Sequence, residues 1–181
     1  YVITEVGLAY GNEVCFSTDN IYEPQDLGLS VKWGQVNVGA GNPLSGGTHF
    51  AWGEVSGKSG IMHDLYYIWR TYKHCDGTES NMIKYNEEDG LTALEAVDDA
   101  ATMNMGENWR TPTREEWQEL IDSCVWTWYT GYYKVTSKVN NKSIFLYEGG
   151  CSKGGGRSLN GLYYWSSSLY NQDVRRAYAL Y

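Results

Sequence analysis

Apolar residues recur along this chain with two different periods, and the switches between them mark out the elements. In LGLSVKWGQVNVGA (27–40), Leu29, Val31 and Trp33 alternate with other residues, and Val36 and Val38 continue the alternation, which predicts a half-buried strand. GAGNPLSGG (39–47) is turn-like, and THFAWGE (48–54) is short, aromatic and extended. From 55 to 90 there is no sustained period, only polar residues with Tyr66, Tyr67, Trp69, Tyr72 and Tyr85 among them, the mark of a functional or packed loop. The period then becomes helical. Val97, Ala100, Ala101 and Met105 approximate one face, with Gly106 placed to end it. In PTREEWQELI, Thr113 and Glu116 form a capping-box signature and Pro112 favours an extended entry. Trp117, Leu120, Ile121 and Cys124 follow as a single buried stripe. On this spacing Glu115, Glu116 and Glu119 form a solvated face rather than a carboxylate pair for acid–base work.

The remainder of the chain reads as strands. VWTWYTGYYKVTSKVNNKSIFLYEGG (125–150) contains a hairpin, with VNNKS as the turn between YKVTSK and SIFLY. KGGGRSLNG (153–161) is a glycine-rich connector and not a phosphate loop, since no G-K-[ST] ends it and no helical pattern follows. LYYWSSSLY and RRAYALY are the last two strands, joined by the polar YNQDVRR (170–176), an exposed loop. The layout predicts an α+β domain with long loops over residues 26–181. Residues 1–25 are either its leading strand or the tail of a preceding domain.

Composition narrows the possible partners. Fourteen Lys and Arg against 22 Asp and Glu give a net charge of -8, which argues against nucleic acid and anionic membranes. No apolar run approaches the ~20 residues of a membrane span, so no membrane insertion is expected. The 8 Trp and 16 Tyr suit half-wet positions, and some of the Tyr are expected on a binding surface. Cys15, Cys75, Cys124 and Cys151 include no C-x-x-C pair, and His49, His63 and His74 do not join them at zinc spacing. Four cysteines allow three disulfide connectivities or four free thiols. EPQD (23–26) and NEEDG (86–90) fall short of calcium loops. No metal and no cofactor are expected.

These residues also carry a family resemblance. DLGLSVKWGQVNVGA, FAWGE, TYKHC, KYN, DDAATMNMGENWRTPTREEWQELI, YKVTSK, SIFL and YYWSSSL resemble, in that order, the major paralogous domain first named from Fibrobacter succinogenes and abundant in surface proteins of gut Bacteroidetes. WRTPTREEW and YYWSSS also resemble the wider superfamily of formylglycine-generating enzymes, which has a C-type-lectin-like fold. The resemblance implies that fold and an extracellular or cell-surface binding module for a glycan or protein ligand, without catalysis. Three other roles are compatible with it: a diversified target protein of a diversity-generating retroelement, a structural adhesin or pilus part, and a formylglycine-type oxidase. The oxidase would need two close C-terminal cysteines on copper, whereas Cys151 is the last and has no other within 20 residues. Relatives continue through another strand after a segment like AYALY, so strand exchange with another chain is a further expectation.

The same resemblance places Trp165 toward the core, and alternation then turns Tyr164 and Ser166 to the opposite face. The candidate ligand-binding residues are Tyr164, Ser166, Tyr170, Asn171, Gln172, Asp173, Arg175, Arg176 and Tyr178, a mixture of flat rings and hydrogen-bonding groups typical of adaptable binding loops. The long loop around Tyr66, Trp69 and Tyr72 is the alternative surface.

Overall fold

A computed structural model describes residues 23–43, 45–57, 67–153, 156–158 and 161–181; residues 1–22 of the expected leading segment, with Cys15, and Tyr66 lie outside the described residues. Short 3-10 turns at Trp69–Thr71 and Ala96–Asp98 precede helices α1 (Ala100–Met105) and α2 (Arg114–Ser123). Strands follow: β1 (Cys124–Tyr129), β2 (Tyr132–Ser137), β3 (Ser143–Tyr147), β4 (Cys151–Lys153), β5 (Gly156–Ser158), β6 (Tyr164–Leu169) and β7 (Ala177–Leu180). They pair as an antiparallel sheet in the order β1-β2-β3 and as two separate antiparallel pairs, β4–β5 and β6–β7. The architecture is α+β, with few helices and much irregular chain.

α2 begins as its sequence dictates. Thr113 Oγ1 accepts from Glu116 N (3.2 Å), and Glu116 Oε2 accepts from Thr113 N (2.7 Å), so each satisfies a donor that the first turn leaves free. Trp117 and Leu120 are buried, but Ile121 is 41% exposed, so the apolar stripe is narrower than its spacing suggests. The helix ends at Ser123, and Cys124 is buried as the first residue of β1 rather than by helical spacing. α1 is shorter than its pattern suggests. Asp99 caps it by accepting from Ala101 N and Thr102 N, which leaves Val97 exposed in the preceding 3-10 turn. Gly106, at φ 104, ends α1 as expected.

The main core joins Trp33, Trp117, Leu120, Val135, Ile144 and Leu146 between α2 and the β1-β2-β3 sheet. The hairpin between β2 and β3 turns through Asn141 at φ 61, with Ser137 Oγ accepting from Val139 N (3.0 Å). Residues 27–40 bury Leu27, Trp33, Val36 and Val38, yet they form no regular strand. Gln25 and Trp33 make an isolated bridge; Gly28 takes φ 70 over the Asp26 side chain, and Asn37 O closes a turn on Ala40 N. Turn chemistry at these positions bends the segment off any ladder. Side chains hold it instead: Ser137 Oγ donates to Leu27 O (2.6 Å), and Glu119 accepts from Ser30 N (3.0 Å). Glu119 is therefore a structural acceptor and not simply part of a solvated face. The glycine-rich connector contains the end of β4 and all of β5.

Candidate functional site

β6 is the strand around which the second half of the molecule is organised. On one side it pairs with β7; on the other, Leu94 N donates to Ser167 O (2.9 Å) and Leu169 N to Thr92 O (2.9 Å). The start of α2 holds it from a third direction. Ser167 N donates to Pro112 O (2.8 Å), Arg114 N to Ser168 Oγ (3.2 Å), and the Trp117 indole N–H to Trp165 O (3.2 Å). The helix start and the YYWSSS segment are thus bonded neighbours in space.

The facing of β6 is opposite to that expected. Tyr164 and Ser166 are buried, and Trp165 is 39% exposed. Tyr164 can be buried because its hydroxyl is satisfied there: it donates to Tyr147 O (2.9 Å) and accepts from Asn37 Nδ2 (3.2 Å). Burial pushes its phenol well above the ordinary range, so it stays neutral. The Trp165 indole instead lies at the surface and donates to Phe50 O (3.0 Å). A register shift between Trp165 and Leu169 breaks the alternation, so that Ser166 and Ser167 are both buried. Tyr164 and Ser166 are therefore turned inward, and Tyr164 meets only the inner lining of the cleft described next.

Trp165 forms one wall of a cleft of about 360 Å³. The opposite wall is the 48–54 segment, with His49, Phe50 and Trp52; Tyr163, Gly149 to Cys151 and Ala179 complete the rim, and Tyr164 and Asn37 lie deeper. Trp52 is fixed by its indole N–H to Ser166 O (2.8 Å), and His49 Nε2 lies 2.9 Å from Gly149 O. No lysine or arginine lines the cleft among the described residues. Its one carboxylate, Glu54, already accepts from Lys73 N (2.9 Å). Asn37 Oδ1 is buried without a partner. The result is an aromatic, largely uncharged cleft with a few fixed polar groups at its base.

The wall carrying Trp52 is anchored by an ionic network centred on the buried Asp98. Asp98 accepts from Lys73 Nζ (2.5 Å), Lys84 Nζ (2.5 Å) and Tyr85 Oη (2.8 Å), which clamps the irregular 73–85 loop onto the 95–99 segment. The Tyr85 ring packs edge-on against Trp52 at 4.9 Å. His74 Nε2 bonds Gly53 O (2.8 Å) and lies 3.8 Å from Asp98. Gly53 is required here: it sits at φ 75, and a Cβ would meet the His74 ring at 2.8 Å. Burial would raise the Asp98 carboxyl, but its bonds from Lys73, Lys84 and Tyr85 prevail and hold it at about 2. Burial lowers His74 below its ordinary value and raises Tyr85 to about 12.

The remaining expected contacts lie in one place, the tip of the β6–β7 hairpin. Asn171, Gln172, Arg175 and Arg176 are exposed, while Tyr170, Asp173 and Tyr178 are half-buried. Much of their bonding capacity is spent locally. Tyr170 Oη donates to Gln172 Oε1 (2.8 Å), and Arg175 Nε to Asp173 Oδ1 (2.8 Å). The Arg175 pairing holds the Asp173 carboxyl at about 2. Tyr178 stacks edge-on against Tyr170 at 5.3 Å and lies under the Arg114 guanidinium at 4.5 Å. Val174 packs inward against the cluster of Trp52, Tyr85 and Leu169. In the alternative loop, Trp69 meets Tyr72 edge-on, and the Tyr72 hydroxyl is tied to Trp52 O (2.9 Å).

Sequence reasoning missed both the cleft and the Asp98 network. FAWGE and YYWSSS were visible as words, but nothing local shows that Phe50 and Trp165, far apart in sequence, face one another. Lys73 and Lys84 lie on irregular chain with no periodic signal, and Asp98 lies in the short 3-10 turn before α1. No family model, curated protein or solved structure matches the chain.

Proposed function

We propose that this chain is an extracellular, non-catalytic binding module of C-type-lectin-like fold, and that it takes its ligand in the cleft beside Trp165. The observation that carries this reading is the cleft itself, with exposed Tyr163 and Trp165 rings at its edge and fixed polar groups behind them. Exposed indole and phenol rings suit the apolar face of a sugar or a partner's side chain. A neutral glycan is the ligand class this lining favours over an anionic one, because no lysine or arginine among the described residues lines it. The lectin-like assignment is supported by where the two most specific words fall: WRTPTREEW starts α2, YYWSSS forms β6, and the two are bonded to each other.

The oxidase alternative draws less support from the same site. A copper-thiolate centre needs two sulfurs together, whereas Cys151 is the one described cysteine lining the cleft; Cys75 and Cys124 are buried elsewhere. The test is to present the intact chain to an array of neutral and acidic glycans. Binding to neutral glycans, lost on Trp165→Ala, is the expected result. Capture of acidic glycans alone, or binding indifferent to Trp165, would overturn the assignment.

A further inference from the structure

Among the described residues, β1 is an edge strand without the usual protection. It pairs with β2 through six consecutive residues from Cys124 to Tyr129, with no bulge. Its sequence, CVWTWY, contains no charge, no proline and no glycine. Among the described residues no strand lies on its outer side, and Val125, Trp128 and Tyr129 are 52%, 50% and 44% exposed. Natural edge strands are normally blunted by lysine, proline, a bulge or a covering segment, because an open ladder recruits another strand.

We infer that β1 is a self-association edge, which pairs antiparallel with β1 of a second copy of this chain. The strand's own sequence favours that occupant. In an isologous pair about a two-fold axis normal to the sheet, opposed residues have a constant sum of numbers, and each face stays continuous only when that sum is even. Centring the pair on Thr127 opposes Thr127 to Thr127, Val125 to Tyr129 and Trp126 to Trp128. These are a hydroxyl pair, a β-branched–aromatic pair and an aromatic pair, all favourable across strands. Charge agrees with this arrangement. Each copy carries -8, yet the strand itself contributes no like-charge contact. Tyr129 already stacks on Tyr132 at 5.2 Å, and Trp128 leans on Tyr133 at 4.9 Å, so the edge side chains are held in place before association. The inference concerns a surface separate from the cleft and does not depend on what the cleft binds.

Sedimentation equilibrium of the intact chain over a wide concentration range tests it. The expected result is a monomer–dimer equilibrium that Val125→Lys with Tyr129→Lys weakens by about tenfold or more, since like charges then face one another twice. Val125→Glu with Tyr129→Lys places opposite charges across the same pairs and should restore the dimer. Thermal unfolding of each variant checks that the exposed substitutions leave the monomer folded. A chain that stays monomeric throughout, or a dimer equally stable in the Lys/Lys and Glu/Lys variants, overturns the inference. If the Lys/Lys chain fails to fold, Thr127→Lys at the two-fold centre replaces it, with dissociation expected and an unchanged dimer decisive against.

Discussion

Thr113 and Trp117 stand four residues apart and stabilise the molecule in different ways. Thr113 satisfies one backbone donor at the start of α2, so Thr113→Ala should cost about 1 kcal/mol. Trp117 fills a core site against Trp33, with ring centroids 5.0 Å apart. Its truncation to alanine should cost roughly 3–5 kcal/mol. Denaturant titration of the two variants checks the difference. Asp98 and His74 should make stability fall with acid in two steps. His74 has its folded value lowered by burial, so below pH ~6.5 the unfolded chain takes up a proton that the folded chain resists, and stability drops from there. Asp98 titrates at about 2 when folded. Its contribution is complete above the unfolded value of ~3.9 and is lost as the pH falls toward its folded value. Chemical denaturation between pH ~8 and ~2, the span these groups cover, should show the upper step in the parent and not in His74→Gln.

Among the elements, legibility followed the locality of the signal. α2 could be read because its cap, dipole charges and apolar stripe lie within one short word, and the β2–β3 hairpin because alternating strands flank a turn. Residues 27–40 misled because burial alternates only as far as Trp33, while Val36, Asn37 and Val38 are all buried and Gly28 and the Asn37 turn deny the segment a ladder. The facing of β6 misled for a different reason. Both Tyr164 and Trp165 are large and aromatic, and which one enters the core is settled by partners distant in sequence, Asn37 and Tyr147 for the one and Phe50 for the other. The hairpin turn offers a direct check. Asn141 sits at φ 61, a conformation that asparagine tolerates and alanine resists. Asn141→Ala should lower stability by about 1 kcal/mol, and Asn141→Gly should not. Thermal melts of both variants decide it.

At the scale of the whole molecule, two clusters of buried side chains meet at the cleft. Tyr164 belongs to the cluster under α2 and the three-stranded sheet, and Trp52 to the one with Tyr85 and Leu169. The Asp98 network supports the second cluster, and the bonds from α2 to β6 join it to the first. The cleft walls are thus tied into the core on both sides, while the hairpin tip largely satisfies its own polar groups. This arrangement separates the two surfaces that could bind a ligand. The most direct measurement compares ligand capture by the parent chain, Trp165→Ala, and the triple variant Tyr170→Ala, Asp173→Ala, Arg175→Ala, using a glycan retained on the array and with thermal unfolding recorded for each. Trp165→Ala should remain folded and lose capture, while the tip variant binds as the parent does. Full capture by folded Trp165→Ala together with its loss in the folded tip variant would contradict the account and move the site to the hairpin.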